Sequence, residues 1–269
     1  MAHQQQTAAS AMPSARPGKE LPPRKRLRAS DVIRKVSQIL GELLITAGIV
    51  LFLFVGWELW WTNVEADAKQ NEAVKSFAQE FTGPLAPAAP ASVDYGPPVV
   101  TPAPAHAGMI GIMYIPRFGP DYSRPIIEGT GSDVLDTLGL GHYGTTSMPG
   151  APGNFAVAGH RQTHGAVLDN IHTLVPGDKI YVQTADGYYT YVFRNNQIVL
   201  PDRTDVLMPV PTQAGVQPTE SILTMTSCNP RFGSQERIIA YSMLDSWQPA
   251  SAGPPSEIAA QVARAQGKG

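Results

Sequence analysis

Cysteine is nearly missing: Cys228 is the only one in 269 residues. A lone thiol excludes an intramolecular disulfide, so no covalent staple holds this chain together. Charge is sparse as well. Asp, Glu, Lys and Arg make up 16% of the residues against 43% hydrophobic, which leaves material for a buried core. No internal repeat is visible, which excludes a solenoid or a repeat array. The length fits one or two domains.

Acidic residues are scarce at the N-terminus. Residues 1–35 hold eight Lys/Arg against Glu20 and Asp31, a net charge of +6, and the remainder carries −8. A basic arm points to nucleic acid or to a membrane surface. The next segment, ILGELLITAGIVLFLFVGWELWW (Ile39–Trp61), decides for the membrane. As a helix it spans about 34 Å, enough for a hydrocarbon core of about 30 Å. Its charges, Glu42 and Glu58, lie near its ends, and Trp57, Trp60 and Trp61 form an interfacial belt. No A-x-A-like cleavage site follows closely, so a removed signal peptide fits poorly. The positive-inside rule keeps residues 1–35 cytoplasmic and puts everything after Trp61 outside. Anionic lipid is then the arm's neighbour, and no nucleic acid partner is expected.

Residues 1–30 are polar and aperiodic, as a disordered segment is. In residues 62–81, Val74, Phe77 and Phe81 share one helical face, and a solvated stalk is the expectation. Seven prolines between residues 83 and 104 predict an extended spacer that lifts the following domain off the membrane. From about Gly108 to Trp247, short β-like runs alternate with turns: Met109–Pro116, Asn154–His160, Asp178–Thr184, Tyr188–Leu200, Ser221–Cys228 and Arg237–Leu244. This spacing argues for a barrel or sandwich. Ser132–Leu140 and Gly165–Leu174 read as short helical turns, and the end of the chain reads as a tail.

Cys228 on its own is either a reactive thiol or a small apolar filler. A nucleophilic thiol needs a base and an oxyanion donor. His160 ends the apolar run FAVAGH and projects from a strand end, though a surface histidine of the His164 or His172 kind sits there equally well. Arg237 opens the strand after the eight-residue loop that follows Cys228, so adjacent strands would set it beside the thiol. Arg231 falls in that loop.

These motifs resemble the sortases, the cysteine transpeptidases of Gram-positive bacteria. Thr224-Met225-Thr226-Ser227-Cys228 stands where the family has T-L-x-T-C, Arg237 fits the arginine of the following strand, and NFAVAGHRQTHG fits the upstream histidine at His160. GHYGTTSMPGAPGNFAVAGHR and NPRFGSQER look most like the class E members of actinobacteria. Three departures are conservative or peripheral: Met225 for Leu, Ser227 for Thr, and Asn229 where class E members often carry His.

The resemblance implies a mostly-β, sortase-like closed barrel of about eight strands with short helices, behind one N-terminal transmembrane helix. It implies five segments: a cytoplasmic tail (1–35), the membrane helix (36–61), a juxtamembrane helix with Pro-rich linker (62–107), an extracytoplasmic catalytic domain (108–248) and a flexible tail (249–269). It implies catalysis by His160, Cys228 and Arg237, with Tyr143, Thr226 and Ser227 as substrate-groove candidates. The implied substrates are secreted proteins with a Leu-Ala-x-Thr-Gly or Leu-Pro-x-Thr-Gly sorting signal. The implied acceptor is a peptidoglycan-precursor (lipid II) amine, or a pilin lysine in a pilin-polymerising enzyme. No cofactor or metal is called for, and no clustered acidic loop suggests calcium. An L,D-transpeptidase would carry S-H-G before the cysteine, and a papain-like peptidase would place Cys before His. A tethered β-domain that only binds the wall is the non-enzymatic alternative.

Overall fold

A computed structural model describes residues 28–85 and 93–268. The expectation of disorder for residues 1–30 falls, up to residue 27, outside the described residues, and at Ala29 and Ser30 it is corrected, because helix α1 already begins there. Helix α1 (Ala29–Glu80) is one unbroken helix of 52 residues. Among the described residues it is the one helix long and apolar enough to cross a bilayer, and no protein covers its apolar stretch. Leu43, Leu44, Leu51, Phe52 and Trp60 all stand exposed. In water such a surface would be costly, whereas lipid accepts it, so the helix fits a membrane anchor.

Eight strands close into a barrel in the order β1-β2-β3-β4-β7-β8-β6-β5. They are β1 (Met109–Tyr114), β2 (Ser123–Glu128), β3 (Leu140–His142), β4 (Gly153–Ala158), β5 (Lys179–Gln183), β6 (Gly187–Val199), β7 (Ser221–Asn229) and β8 (Glu236–Pro249). Six of the eight coincide with the apolar runs of the sequence. The other two, β2 and β3, are hidden by a proline and by brevity. Pro125 lies in β2 one residue before its pairing with β3 begins at Ile126, a position where a missing N–H is tolerated. β3 has three residues. Helix α2 (Ser132–Leu135) and a 3₁₀ turn at Asp169–Thr173 occupy the two predicted helical turns. Leu223, Met225, Phe155 and Val157 meet inside the barrel.

Three sequence expectations are corrected. Residues 62–81 are not a solvated stalk: Val74, Phe77 and Ala78 are buried on the outer face of the barrel against Ile112, Tyr114, Tyr181 and Tyr188. The end of the chain is not a free tail. Helix α3 (Ala259–Ala265) and Ile258 before it cover the same face, with Ile258 and Val262 fully buried. The physical reason lies in β1, whose continuous run Ile110–Tyr114 is buried on both faces and needs a cover outside as well as inside. Finally, the described part of the Pro-rich segment is no spacer. It runs along the barrel, where Val99 O accepts a hydrogen bond from Tyr189 Oη at 2.5 Å and Gly96 O accepts one from Trp247 Nε1 at 2.7 Å. Its end borders a cavity of about 320 Å³ with Phe77, Phe81, Met148 and Tyr189, and none of the predicted site residues lines it.

Candidate active site

The site forms where β7 ends between β4 and β8. Strand alternation sends Leu223 and Met225 into the barrel and turns Thr224, Thr226 and Cys228 to the opposite face. β8 runs antiparallel to β7, and Arg237 is the direct cross-strand partner of Cys228. Direct partners share a face, so thiol and guanidinium project from the same side. β4 runs parallel to β7, with Ala158 opposite Thr226. Two residues further along each chain come His160 and Cys228. The register holds beyond the strand end: Gly159 N–H donates to Thr226 O at 3.1 Å, and Ser227 Oγ donates to Gly159 O at 2.8 Å. Position 159 has no room for a side chain, since a Cβ there would meet Val167 Cγ2 at 2.6 Å and Leu140 Cδ2 at 2.9 Å.

His160 is partly exposed and its Nε2 lies 2.6 Å from Asp136 Oδ1. A carboxylate on one ring nitrogen fixes tautomer and orientation and leaves the other, Nδ1, for a reacting group. Asp136 was not legible in the sequence. It caps the short helix α2, twenty-four residues before His160, and only the fold brings the two together.

Arg161 is the second residue that sequence reasoning missed. It is 5% exposed, and its Nη1 donates to Cys228 O at 3.0 Å and to Asn229 Oδ1 at 2.6 Å. Burial lowers its affinity for the proton, Asp169 acts to raise it, and the neighbouring Arg231 lowers it further. An arginine stays charged under such shifts. Its Nε is buried without a partner.

Arg237 directs Nη1 to the carbonyls of Ser234 and Glu236 at 2.9 and 2.8 Å, which anchors the side chain at the start of β8. Arg231 is not simply solvated: it grips Asp169 with two hydrogen bonds of 2.7 and 2.5 Å. That pair joins the β7–β8 loop to the segment after His160. The hydrogen bonds and charge of Asp169 make the exposed Arg231 guanidinium hold its proton more firmly.

The groove candidates divide. Tyr143 Oη lies 2.9 Å from Thr226 Oγ1, and Thr226 shares the Cys228 face. Ser227 points the other way, is buried, and spends its hydroxyl on Gly159 O. It fixes the chain just before His160. Period-two alternation alone would have revealed this, because neighbours on a strand face opposite sides.

Residues that hold the His160 loop come from α1. Asn63 Nδ2 donates to Gln162 O at 3.0 Å, Gly165 N–H donates to Asn63 Oδ1 at 2.8 Å, and Gln70 Nε2 donates to His164 O at 3.1 Å. Gly165 has φ +87° and touches the Gln70 amide so closely that a Cβ would lie 2.8 Å from Nε2. Arg124 bridges Asp67 of α1 at 3.0 Å and Gly165 O at 3.3 Å.

Comparison with known proteins identifies the family. Residues 113–245 match the family model described as a sortase domain. Sortase SrtE1 of Streptomyces coelicolor is 35% identical over 87% of this chain and 64% of its own length, so the chain spans just under two thirds of that relative. Sortase SrtE2 of the same organism is 32% identical over 82% of this chain and 87% of its own. Among solved structures, the SrtA sortase of Actinomyces oris has 37% identity and a TM-score of 0.58, covering 61% of this chain and 94% of that one. Sortase E1 of Streptomyces coelicolor, solved with a tripeptide in its active site, has 36% identity and a TM-score of 0.52, covering 59% and 99%. With its barrel, its terminal Cys–Arg pair and the aligned histidine, the chain belongs to the sortase family.

Proposed function

We propose that this protein is a membrane-anchored cysteine transpeptidase that cleaves the Thr-Gly bond of a C-terminal sorting signal and passes the acyl group to an amine. The observation that carries this is the register at the end of β7, which sets Cys228 between the His160 and Arg237 positions. The Cys228 thiolate attacks the threonine carbonyl carbon. Arg237 stabilises the oxyanion that forms. The C–N bond then breaks, and His160 gives its proton to the leaving glycine amine. A thioester remains on Cys228. A second amine attacks it, loses a proton to His160, and expels the thiolate. Asp136 keeps the imidazole oriented through both proton transfers. Tyr143 and Thr226 shape the substrate groove.

The acceptor that fits a class E relative is a peptidoglycan-precursor amine, and the second signal residue is alanine. The test uses two peptides differing only at that position, Leu-Ala-x-Thr-Gly and Leu-Pro-x-Thr-Gly, with a trapped acyl-enzyme as the readout. Wild type forms the adduct on Cys228 and favours the alanine peptide. A Cys228→Ala variant that cleaves as fast as wild type would sink the mechanism, and a preference for proline would sink the class E assignment.

A further inference from the structure

The loop that carries His160 also presents a second imidazole that transpeptidation leaves idle. The His160 and His164 rings lie 4.9 Å apart. Asp136 Oδ1 is 2.6 Å from His160 Nε2 and 4.0 Å from His164 Nε2. One ligand atom from each of the three residues lies within 4.8 Å of the others. All three are partly exposed, so a solute ion reaches them without opening the barrel.

We propose that Asp136, His160 and His164 form a binding site for a transition-metal dication of the zinc type, and that its occupancy switches the enzyme off by capturing His160. The inhibitory half rests on the proposed role of His160, and the binding half does not. Two imidazoles and one carboxylate suit Zn²⁺, Ni²⁺ or Cu²⁺, whereas calcium and magnesium need more oxygen donors. Ligands at about 2.0–2.2 Å from a tetrahedral centre stand about 3.3 Å apart. The present separations of 2.6 and 4.0 Å straddle that value. All three pairs lie within 4.8 Å, so adjustments of up to about 1.5 Å in partly exposed side chains close the site, with water in the fourth position.

The backbone under His164 is fixed in place. His164 adopts a left-handed conformation, φ 54°. Its carbonyl accepts from Gln70 and the next N–H donates to Asn63, both from α1. The metal takes the lone pair of His160 Nε2: a neutral ring shifts its proton from Nε2 to Nδ1, a doubly protonated ring releases the Nε2 proton to solvent, and a chelator reverses the exchange. The captured imidazole then neither orients on Asp136 nor cycles a proton with substrate.

Calorimetric titration of untagged protein with ZnCl₂ tests the site. A Cys228→Ala background removes the thiol as a competing soft ligand. One Zn²⁺ per chain is expected. His164→Asn, chosen because asparagine tolerates the left-handed backbone, should weaken binding by about tenfold or more in that background. Asp136→Asn should do the same, which covers a failure of either variant to fold. With Cys228 restored, Zn²⁺ should inhibit peptide cleavage and EDTA restore it, while His164→Asn keeps basal cleavage and loses about tenfold of the zinc sensitivity. No binding up to about 1 mM, or equal affinity in the His164→Asn and parent proteins, overturns the proposal. The calorimetric arm needs no turnover, so it separates failure of the metal site from failure of the transpeptidase reading.

Discussion

Cys228 has a cation on each flank, Arg161 from the β4 side and Arg237 from the β8 side, and their surroundings divide the labour. Arg161 is buried and already committed to Cys228 O and Asn229 Oδ1, so it fixes the backbone under the nucleophile. Arg237 is less buried, is anchored through Nη1 alone, and shares the thiol's face. Arg237→Ala should therefore lower the rate of acyl-enzyme formation by about 100-fold or more while leaving the urea midpoint within error. Arg161→Ala should instead cost about 2 kcal/mol of stability, because it takes a charged donor from two partly buried acceptors. Urea unfolding and acylation kinetics on the same pair distinguish the roles, and the opposite pattern would reverse the assignment. Asp136 calls for a third kind of readout. Asp136→Asn keeps a polar group of the same size but loses the charge, so kcat should fall by up to about 100-fold with KM unchanged. Equal losses in both would mean that Asp136 serves binding rather than the proton transfers.

Helix α1 joins the catalytic arrangement at the level of elements. Its segment from Asn63 to Ala78 buries Val74 and Phe77 on the barrel and clasps the loop from Gln162 to Gly165. Burying those two side chains contributes about 3–5 kcal/mol by area. A chain beginning at residue 93 should unfold at lower urea than one beginning at residue 62 and cleave peptide more slowly. In the longer chain, Asn63→Ala with Gln70→Ala should slow cleavage while changing stability much less than the truncation. Equal activity of all three proteins would show that the clasp is idle. The sequence made part of this visible. The Val74, Phe77 and Phe81 face was legible as a helix, but its partner was not, because Ile112 and Tyr114 lie on a strand whose apolar run does not say what covers it. Likewise, the Cys228–Arg237 pair could be read from a short hairpin loop, where sequence distance and spatial distance agree. The alignment of His160 with Cys228 depends on a parallel pairing across sixty-eight positions, and Asp136 and Arg161 depend on where loops come to rest. No local pattern encodes either, so the resemblance to a family had to supply the histidine, and Asp136 and Arg161 stayed hidden.

At the scale of the whole molecule, the scarcity of cysteine becomes a tool. The basic arm of residues 1–35 and the apolar stretch of α1 argue that the barrel faces away from the cytoplasm. Cys228 is the single thiol and it is partly exposed. A membrane-impermeant maleimide added to intact cells can therefore reach this chain at one atom only. If the barrel is outside, the full-length protein labels in intact cells, once the wall is digested to admit the reagent, and the Cys228→Ala variant does not. If the barrel is inside, labelling of wild type appears only after the membrane is permeabilised, and the proposed topology fails together with access to secreted substrates. Moving charge tests the cause as well as the outcome. Replacing Arg24, Lys25, Arg26 and Arg28 with glutamine removes half of the eight basic residues in the arm. If these residues set the orientation, that variant should show a mixed population, with part of the thiol protected until permeabilisation. Full labelling of the variant in intact cells would mean that the length of the apolar helix, and not the charge beside it, sets the topology.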